Sequence, residues 1–327
     1  MWNKETNMKI KLVIVSLLIF LMLFLACKKN TDDSKNELKG NVTISGAWAL
    51  YPMVVKWAEE YQKLYPGVKI DISAGGAGKG MADTLAGVVD IGMISRNIYD
   101  EEIAKGAFPF AVTIDAVVPT INAKNPNIDA VFKKGLTKED FINIWITGKI
   151  KYWQEIIGGN NKTAVNVYTR SDACGAAETW AKYLGKKQEN LQGVGVYADP
   201  GLTEAVKKDE LGIGYNNINY AYDVNSKLPV EGIRIIPIDL NENGQIDDDE
   251  NFYGDRASIT DAIRNKKYPS PPSRVLFLTT KDKPESLILK EFLKWILTDG
   301  QKYVEESGYI KLGEDALGTE LRKLAAN

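Results

Sequence analysis

The sequence predicts an α/β protein of two lobes joined by a pair of crossing strands, and three observations carry that expectation. From Asn41 onward, β-type runs alternate with stretches whose apolar residues recur at helical spacing, which implies a mostly parallel sheet with helices on both faces. Without its N-terminal leader the chain keeps about 300 residues, more than one hydrophobic core ordinarily serves. Two long apolar, β-rich runs, Ala111 to Ile121 and Arg274 to Thr280, are the candidates for strands that cross between lobes. The expected division is a leader at 1–27, a tether at 28–40, a first lobe from 41–116 with 275–327, and a second lobe at 117–274.

The leader reads as an address. Lys9 and Lys11 precede the almost wholly apolar Leu12 to Leu25, and Ala26-Cys27 closes the stretch before the charged run Lys28 to Lys39. A spanning helix needs roughly 20 apolar residues, so this shorter run reads as a signal-peptide core and Cys27 as a lipobox cysteine that becomes acylated. The alternative is an uncleaved membrane anchor. Either way the body is expected outside the cytoplasm, periplasmic or at the cell surface, and Met8 is an alternative start to Met1. The tether is too poor in apolar residues to fold.

Elements follow in order. Val42-Thr43-Ile44 reads as a strand. Val54, Val55, Trp57, Ala58, Tyr61, Leu64 and Tyr65 mark a helix that Pro66-Gly67 ends. Val68 to Ile72 is a strand, Met81 to Ala86 a short helix and Val89 to Ile94 a strand. Ala164 to Thr169 is a strand before a helix from Glu178 to Leu184 that Gly185 caps, and Ile233 to Ile238 reads as a strand.

Composition excludes several functions. Lys and Arg number 41 against 43 Asp and Glu, a near-neutral balance that argues against a nucleic-acid partner. With Cys27 lipidated, Cys174 is the one thiol left, so no internal disulfide forms. The chain has 0 histidines, which removes Ser-His-Asp and Cys-His catalysis and every histidine-based zinc site.

Three glycine-bearing segments each follow a strand and open a helix: Ser45 to Pro52, Ser73 to Gly80 and Arg170 to Ala177. Small residues let the backbone approach a ligand, and the first N–H groups of a helix favour an anion. None is a dinucleotide or P-loop fingerprint. Arg170, at a strand end beside a helix start, can grip an oxyanion bidentately, or it can pair with Asp172.

These segments carry a resemblance. Gly46-Ala-Trp-Ala-Leu-Tyr-Pro52 with Lys56-Trp57-Ala58, the Ala74 to Gly80 loop with Val89-Asp-Ile-Gly-Met-Ile-Ser-Arg96, and Arg170-Ser-Asp-Ala-Cys-Gly175 resemble the ligand loops of the phosphate-binding proteins of ABC transporters. Leu211-Gly-Ile-Gly-Tyr215 and Lys267-Tyr-Pro269 before Arg274 are similar to later landmarks of that family, so the likeness runs from about Asn41 to the C-terminus. It implies the type 2 periplasmic-binding fold, a monomer closing over an oxyanion and presenting it to permease subunits. The ligand set it implies is Ala49, Leu50, Tyr51, Gly76, Ala77, Gly78, Ser95, Arg170, Cys174, Gly175 and Ala176.

Where the family uses hydroxyls, this chain carries Leu50, Ala77, Cys174 and Ala176, and each lost hydroxyl removes a hydrogen bond worth about 1 kcal/mol. Ser95 stands where some relatives place an aspartate. Either backbone amides and Arg170 hold a phosphate-like oxyanion, or Trp48, Tyr51 and Cys174 make a softer site for a larger organic anion. A surface sensor reusing the fold is a further alternative. The enzyme alternative, a hydrolase using Cys174 with Asp172 or Glu178 as base, is disfavoured by the missing histidine.

A separate motif spans residues 239–250. Asp239, Asn241 and Asn243 sit at positions 1, 3 and 5 of the twelve-residue calcium pattern, Gly244 at its turn, Gln245 at its carbonyl position, Asp247 at the direct or water-mediated place and Glu250 at its end. The flanks are not helices, so the expectation is a freestanding structural Ca2+ loop, the alternative an acidic surface turn.

Overall fold

The computed structural model describes residues 38–160 and 162–326. The leader, Cys27 and the tether up to residue 37 lie outside them. Among the described residues no helix is long and apolar enough to cross a membrane.

Nine strands make up the sheet, eight of them on one path in the order β2-β1-β3-β9-β4-β7-β5-β6 and β8 off it, paired to β4. β1 (Gly40–Gly46), β2 (Val68–Ala74) and β3 (Ile91–Ile94) are parallel neighbours at one end. β5 (Asn166–Arg170), β6 (Val194–Val196) and β7 (Gly212–Asn217) are parallel neighbours at the other. Between them run β4 (Ala107–Asn122) and β9 (Ser273–Lys281), antiparallel to each other, and β8 (Ile233–Ile235) lies antiparallel to β4. The mostly parallel sheet expected from the sequence is therefore mixed. β4 leaves the first core and β9 returns to it, so side by side they must run in opposite directions.

The buried side chains fall into two clusters. The first gathers Val42, Trp57, Tyr61 and Met93 with Phe292 and Trp295 from the helix Leu287–Leu297. The second gathers Trp145, Trp153, Trp180, Tyr215 and Tyr268. β4 feeds both, giving Phe110 and Val112 to the first and Ala116, Val117, Val118 and Ile121 to the second. Buried on both faces, it reads as a continuous apolar run rather than an alternating one. In the second cluster Trp180 stacks on Tyr215 with ring centroids 5.8 Å apart and meets Trp145 edge-on at 5.5 Å. Each such pair adds about 0.5–1.5 kcal/mol beyond the area it buries.

Three helices matter for the site. α1 (Tyr51–Leu64) carries Pro52 in its first turn and buries Met53, Val54, Trp57, Ala58 and Tyr61 on one face. It stops before Pro66, which cannot extend a helix and restricts the residue preceding it. α2 (Ala77–Leu85) starts four residues earlier than the sequence suggests, because Gly76 at φ +90° lets the chain turn directly from β2 into the helix. α3 (Gly175–Tyr183) likewise starts at Gly175 rather than Glu178, with Cys174 as its N-cap, Sγ accepting from the Ala177 N–H at 3.5 Å. Gly185, at φ +72°, follows its end as expected.

Candidate functional site

Parallel pairing fixes where the first two loops lie. Gly46 and Ala74 are register partners at the ends of β1 and β2, so the loops that follow emerge side by side. Gly75 and Gly76 both donate their N–H to Gly46 O, at 2.9 and 3.0 Å. A Cβ on Gly46 would overlap Met93 O, so this crossing of chains requires glycine.

The third loop, after β5 in the other lobe, meets the second. Gly78 N–H donates to Ala173 O at 3.4 Å, and a Cβ on Gly76 would lie 2.7 Å from the same oxygen. Gly175 packs so closely on Ser95, at the end of β3, that a Cβ there would overlap both Ser95 O and Oγ. The first loop is tied across the cleft by Tyr220, whose hydroxyl donates to Trp48 O at 3.2 Å, while Tyr309 donates to Ala49 O at 2.7 Å. The starts of α1, α2 and α3 thus converge with Ser95 where the lobes touch. The starts of α2 and α3 offer N–H groups without intrahelical partners, whereas at α1 the Tyr51 N–H already donates to Ala47 O and Pro52 has none; the helix dipole favours an anion at each.

Side chains behave differently from backbone. Ala49, Leu50 and Ala77 belong to the first buried cluster, and Cys174 and Ala176 to the second. The residues standing where the family has hydroxyls therefore turn into the cores. A softer pocket using Cys174 is not what the structure shows, since that side chain caps α3 from inside. Burial pushes the Cys174 thiol up to about 12, against the pull of Arg170, so it remains a thiol and supplies no nucleophile. In protein lacking the leader and Cys27, iodoacetamide is accordingly expected to leave the native chain unmodified at pH 8 and to label it once unfolded, as read by intact mass. Labelling of the folded chain would show that Cys174 is exposed.

Arg170 is where the structure most changes the expectation. Its guanidinium is not open: Nε and Nη2 donate to the two carboxylate oxygens of Asp172, at 2.8 and 2.6 Å, and Nη1 donates to Asp199 Oδ2 at 2.6 Å. The Arg170 side chain is 0% exposed. Arginine has five N–H donors, so two remain for a ligand. Asp199 also accepts from Asn217 Nδ2 at 2.6 Å. Sequence reading missed Asp199, although an Asp-Pro step opening the helix α4 (Asp199–Lys208) was a visible helix-start signal.

The cleft edge is also bridged. Tyr99 donates to Glu178 Oε1 at 2.6 Å, and Arg96 Nε lies 3.4 Å from Glu178 Oε2. Beside the third loop opens a cavity of about 960 Å³ walled in part by Arg170, Ser171 and Glu178 and by the exposed Lys182, Lys186 and Lys187. Glu101 and Glu189 line it as well, so with Glu178 they offset most of the positive charge there.

The 239–250 loop is closed by its own donors. Asp239 accepts from the N–H of Asn243 and Gly244 at 3.2 and 2.9 Å, and Glu250 from those of Leu240 and Asn241 at 2.8 and 3.0 Å. Asp247 accepts from the side-chain amides of Asn241, Asn243 and Gln245, and these bonds, Asn241's foremost, hold its carboxyl below the ordinary range. Gly244 makes the turn at φ +83°. Among the described residues no three His, Cys, Asp or Glu side chains gather closely enough to hold a metal.

Comparison with known proteins supplies the remaining line. A family model described as "PBP superfamily domain" matches residues 31–300. The phosphate-binding protein PstS of Methanocaldococcus jannaschii is 28% identical, over 88% of this chain and 86% of its own. The PstS of Bacillus subtilis is 30% identical, over 69% of this chain and 77% of its own. A putative phosphate ABC transporter substrate-binding protein from Clostridium perfringens, solved with bound phosphate, superposes with a TM-score of 0.68 at 24% identity, covering 84% of this chain and 100% of that one. With two α/β cores, two crossing strands and loops that meet between them, this chain belongs to the PstS-like phosphate-binding protein family, within the PBP superfamily.

Proposed function

We propose that the chain is the lipid-anchored, extracytoplasmic receptor of an ABC importer, capturing phosphate or a close oxyanion between its lobes as a monomer and delivering it to permease subunits without chemical change. The observation that carries this reading is the convergence of three helix starts with Ser95 and the buried Arg170 where the two lobes meet. With Leu50, Ala77, Cys174 and Ala176 turned inward, backbone N–H groups do most of the holding, and the two uncommitted donors of Arg170 complete it. The relatives named above are phosphate-binding proteins, which favours phosphate first. Calorimetric titration with inorganic phosphate tests the reading: one site per chain is expected, and no binding of any oxyanion overturns it.

One observation favours a larger ligand. The cavity of about 960 Å³ beside the third loop shares Arg170 with the site, though none of the first- or second-loop residues, and has room for an organic group carried by the anion. Binding of organic phosphates or other organic anions in preference to inorganic phosphate, in the same titration, would select that alternative.

Calcium at residues 239–250 belongs to the same proposal, as a structural ion. The buried carboxylates of Asp239 and Glu250, brought together on one loop, support it. On binding, Asn241, Asn243 and Asp247 would exchange internal hydrogen bonds for the ion. Excess chelator is expected to lower the melting temperature by several degrees, with calcium but not magnesium restoring it; an unchanged melt removes the ion from the account.

A further inference from the structure

A second guanidinium lies on the crossing strands with its Nε and Nη1 uncommitted. Asp115 on β4 and Arg274 on β9 are register partners on the two crossing strands. Asp115 is 0% exposed and the Arg274 side chain 7%, yet their nearest approach, Nη2 to Asp115 Oδ2, is 3.6 Å, too long for a hydrogen bond. Among the described residues, Arg274 Nε and Nη1 have no hydrogen-bond partner. Asp115 faces Arg274 without consuming its donors. Burial pushes the Asp115 carboxyl up to about 7 in spite of the neighbouring cation.

Placement links this arginine to the ligand loops. Arg274 Nη2 donates to Asn217 Oδ1, Asn217 Nδ2 to Asp199 Oδ1, and Asp199 Oδ2 accepts from Arg170 Nη1. Asn217 in turn caps the short helix Ile218–Ala221, whose Tyr220 reaches Trp48 O in the first loop. Arg274 therefore lies between the groups that brace the first loop and those that brace the third. Trp48 Nε1 is also buried and without a partner among the described residues. Buried donors left unmade carry a large desolvation cost, and proteins that keep them reserve them for a ligand or bound water.

We propose that Arg274 is a second ligand-binding arginine, donating from Nε and Nη1 to the same phosphate-class oxyanion that the helix starts receive. This rests on the phosphate-receptor reading above. Nothing in the ligand set drawn from the family resemblance includes Arg274, Trp48 or Asp115.

The test is titration of the whole mature protein with inorganic phosphate, alongside melting without it. The double variant Asp115→Asn with Arg274→Gln removes both charges at once and leaves neither group alone in the core. It is expected to melt within a few degrees of wild type and to bind phosphate roughly tenfold to a hundredfold more weakly. Wild-type affinity in the folded double variant overturns the proposal. Arg274→Lys, which keeps a charge beside Asp115 but removes the fork, secures the test if the double variant fails to fold: a loss of about tenfold supports the proposal and unchanged affinity overturns it. If the wild-type chain itself does not bind phosphate, both readings fall; if it does and the variants match it, only the role of Arg274 fails.

Discussion

Arg170→Ala is expected to abolish measurable phosphate capture and to cost about 3–5 kcal/mol of stability, the usual penalty for removing one partner of a buried ion pair. The cause lies less in the arginine than in what it leaves behind. Asp199 is 1% exposed and shares its other oxygen with Asn217, and Asp172 is held by two of the guanidinium nitrogens. Without the cation, two carboxylates stay in a cavity with no charge to answer them. For a protein of this size the melting temperature should fall on the order of 10 °C. Arg170→Lys separates charge from geometry: a point charge restores part of the stability but cannot span Asp172 and Asp199 together. Scanning calorimetry and phosphate titration of both variants read the two effects independently. A Arg170→Ala protein that melts like wild type would show that Asp199 and Asp172 find other partners, and one that still binds phosphate would remove Arg170 from the site.

The legible and illegible parts of this molecule divide along a physical line. β4 and β9 could be read because a strand buried on both faces shows itself as a predominantly apolar run, and Ala111 to Ile121, interrupted by Asp115, is one. The ligand loops could be read because a strand, then small residues, then a helical pattern is a local signature. What a local signature cannot convey is direction and distant partnership. Leu50 and Cys174 stood at positions matching hydroxyls, yet which way each turned depended on packing against cores assembled from far along the chain. Asp199 reaches Arg170 only after β5, β7 and α4 come together. Asp115 was visible as a lone charge inside an apolar run, but its meaning needed the strand register that sets it opposite Arg274. In the 239–250 loop the residue types fit a cation pattern, while the geometry shows amide donors answering the carboxylates first.

Gly175→Ala should separate closure from folding. The backbone at Gly175 is the first turn of α3, where alanine is a good helix former, so within its own lobe the change is neutral or mildly favourable. Across the cleft it is not tolerated. The added Cβ would overlap Ser95 O and Oγ, and because one of these is a backbone oxygen at the end of β3, no side-chain rotation relieves it. Each lobe keeps its own buried cluster, so the lobes can stand apart without either unfolding. The expected result is a melting temperature within a few degrees of wild type, a larger radius of gyration by solution scattering in the presence of phosphate, and affinity weakened by roughly a hundredfold or more, since the helix starts of α2 and α3 no longer face one anion. Ser95→Gly offers no rescue, because the backbone oxygen stays where it was. If Gly175→Ala binds phosphate with wild-type affinity, then contact between the third loop and β3 is not how this receptor holds its ligand, and the site must be assembled in a more open arrangement than the one the loops adopt here.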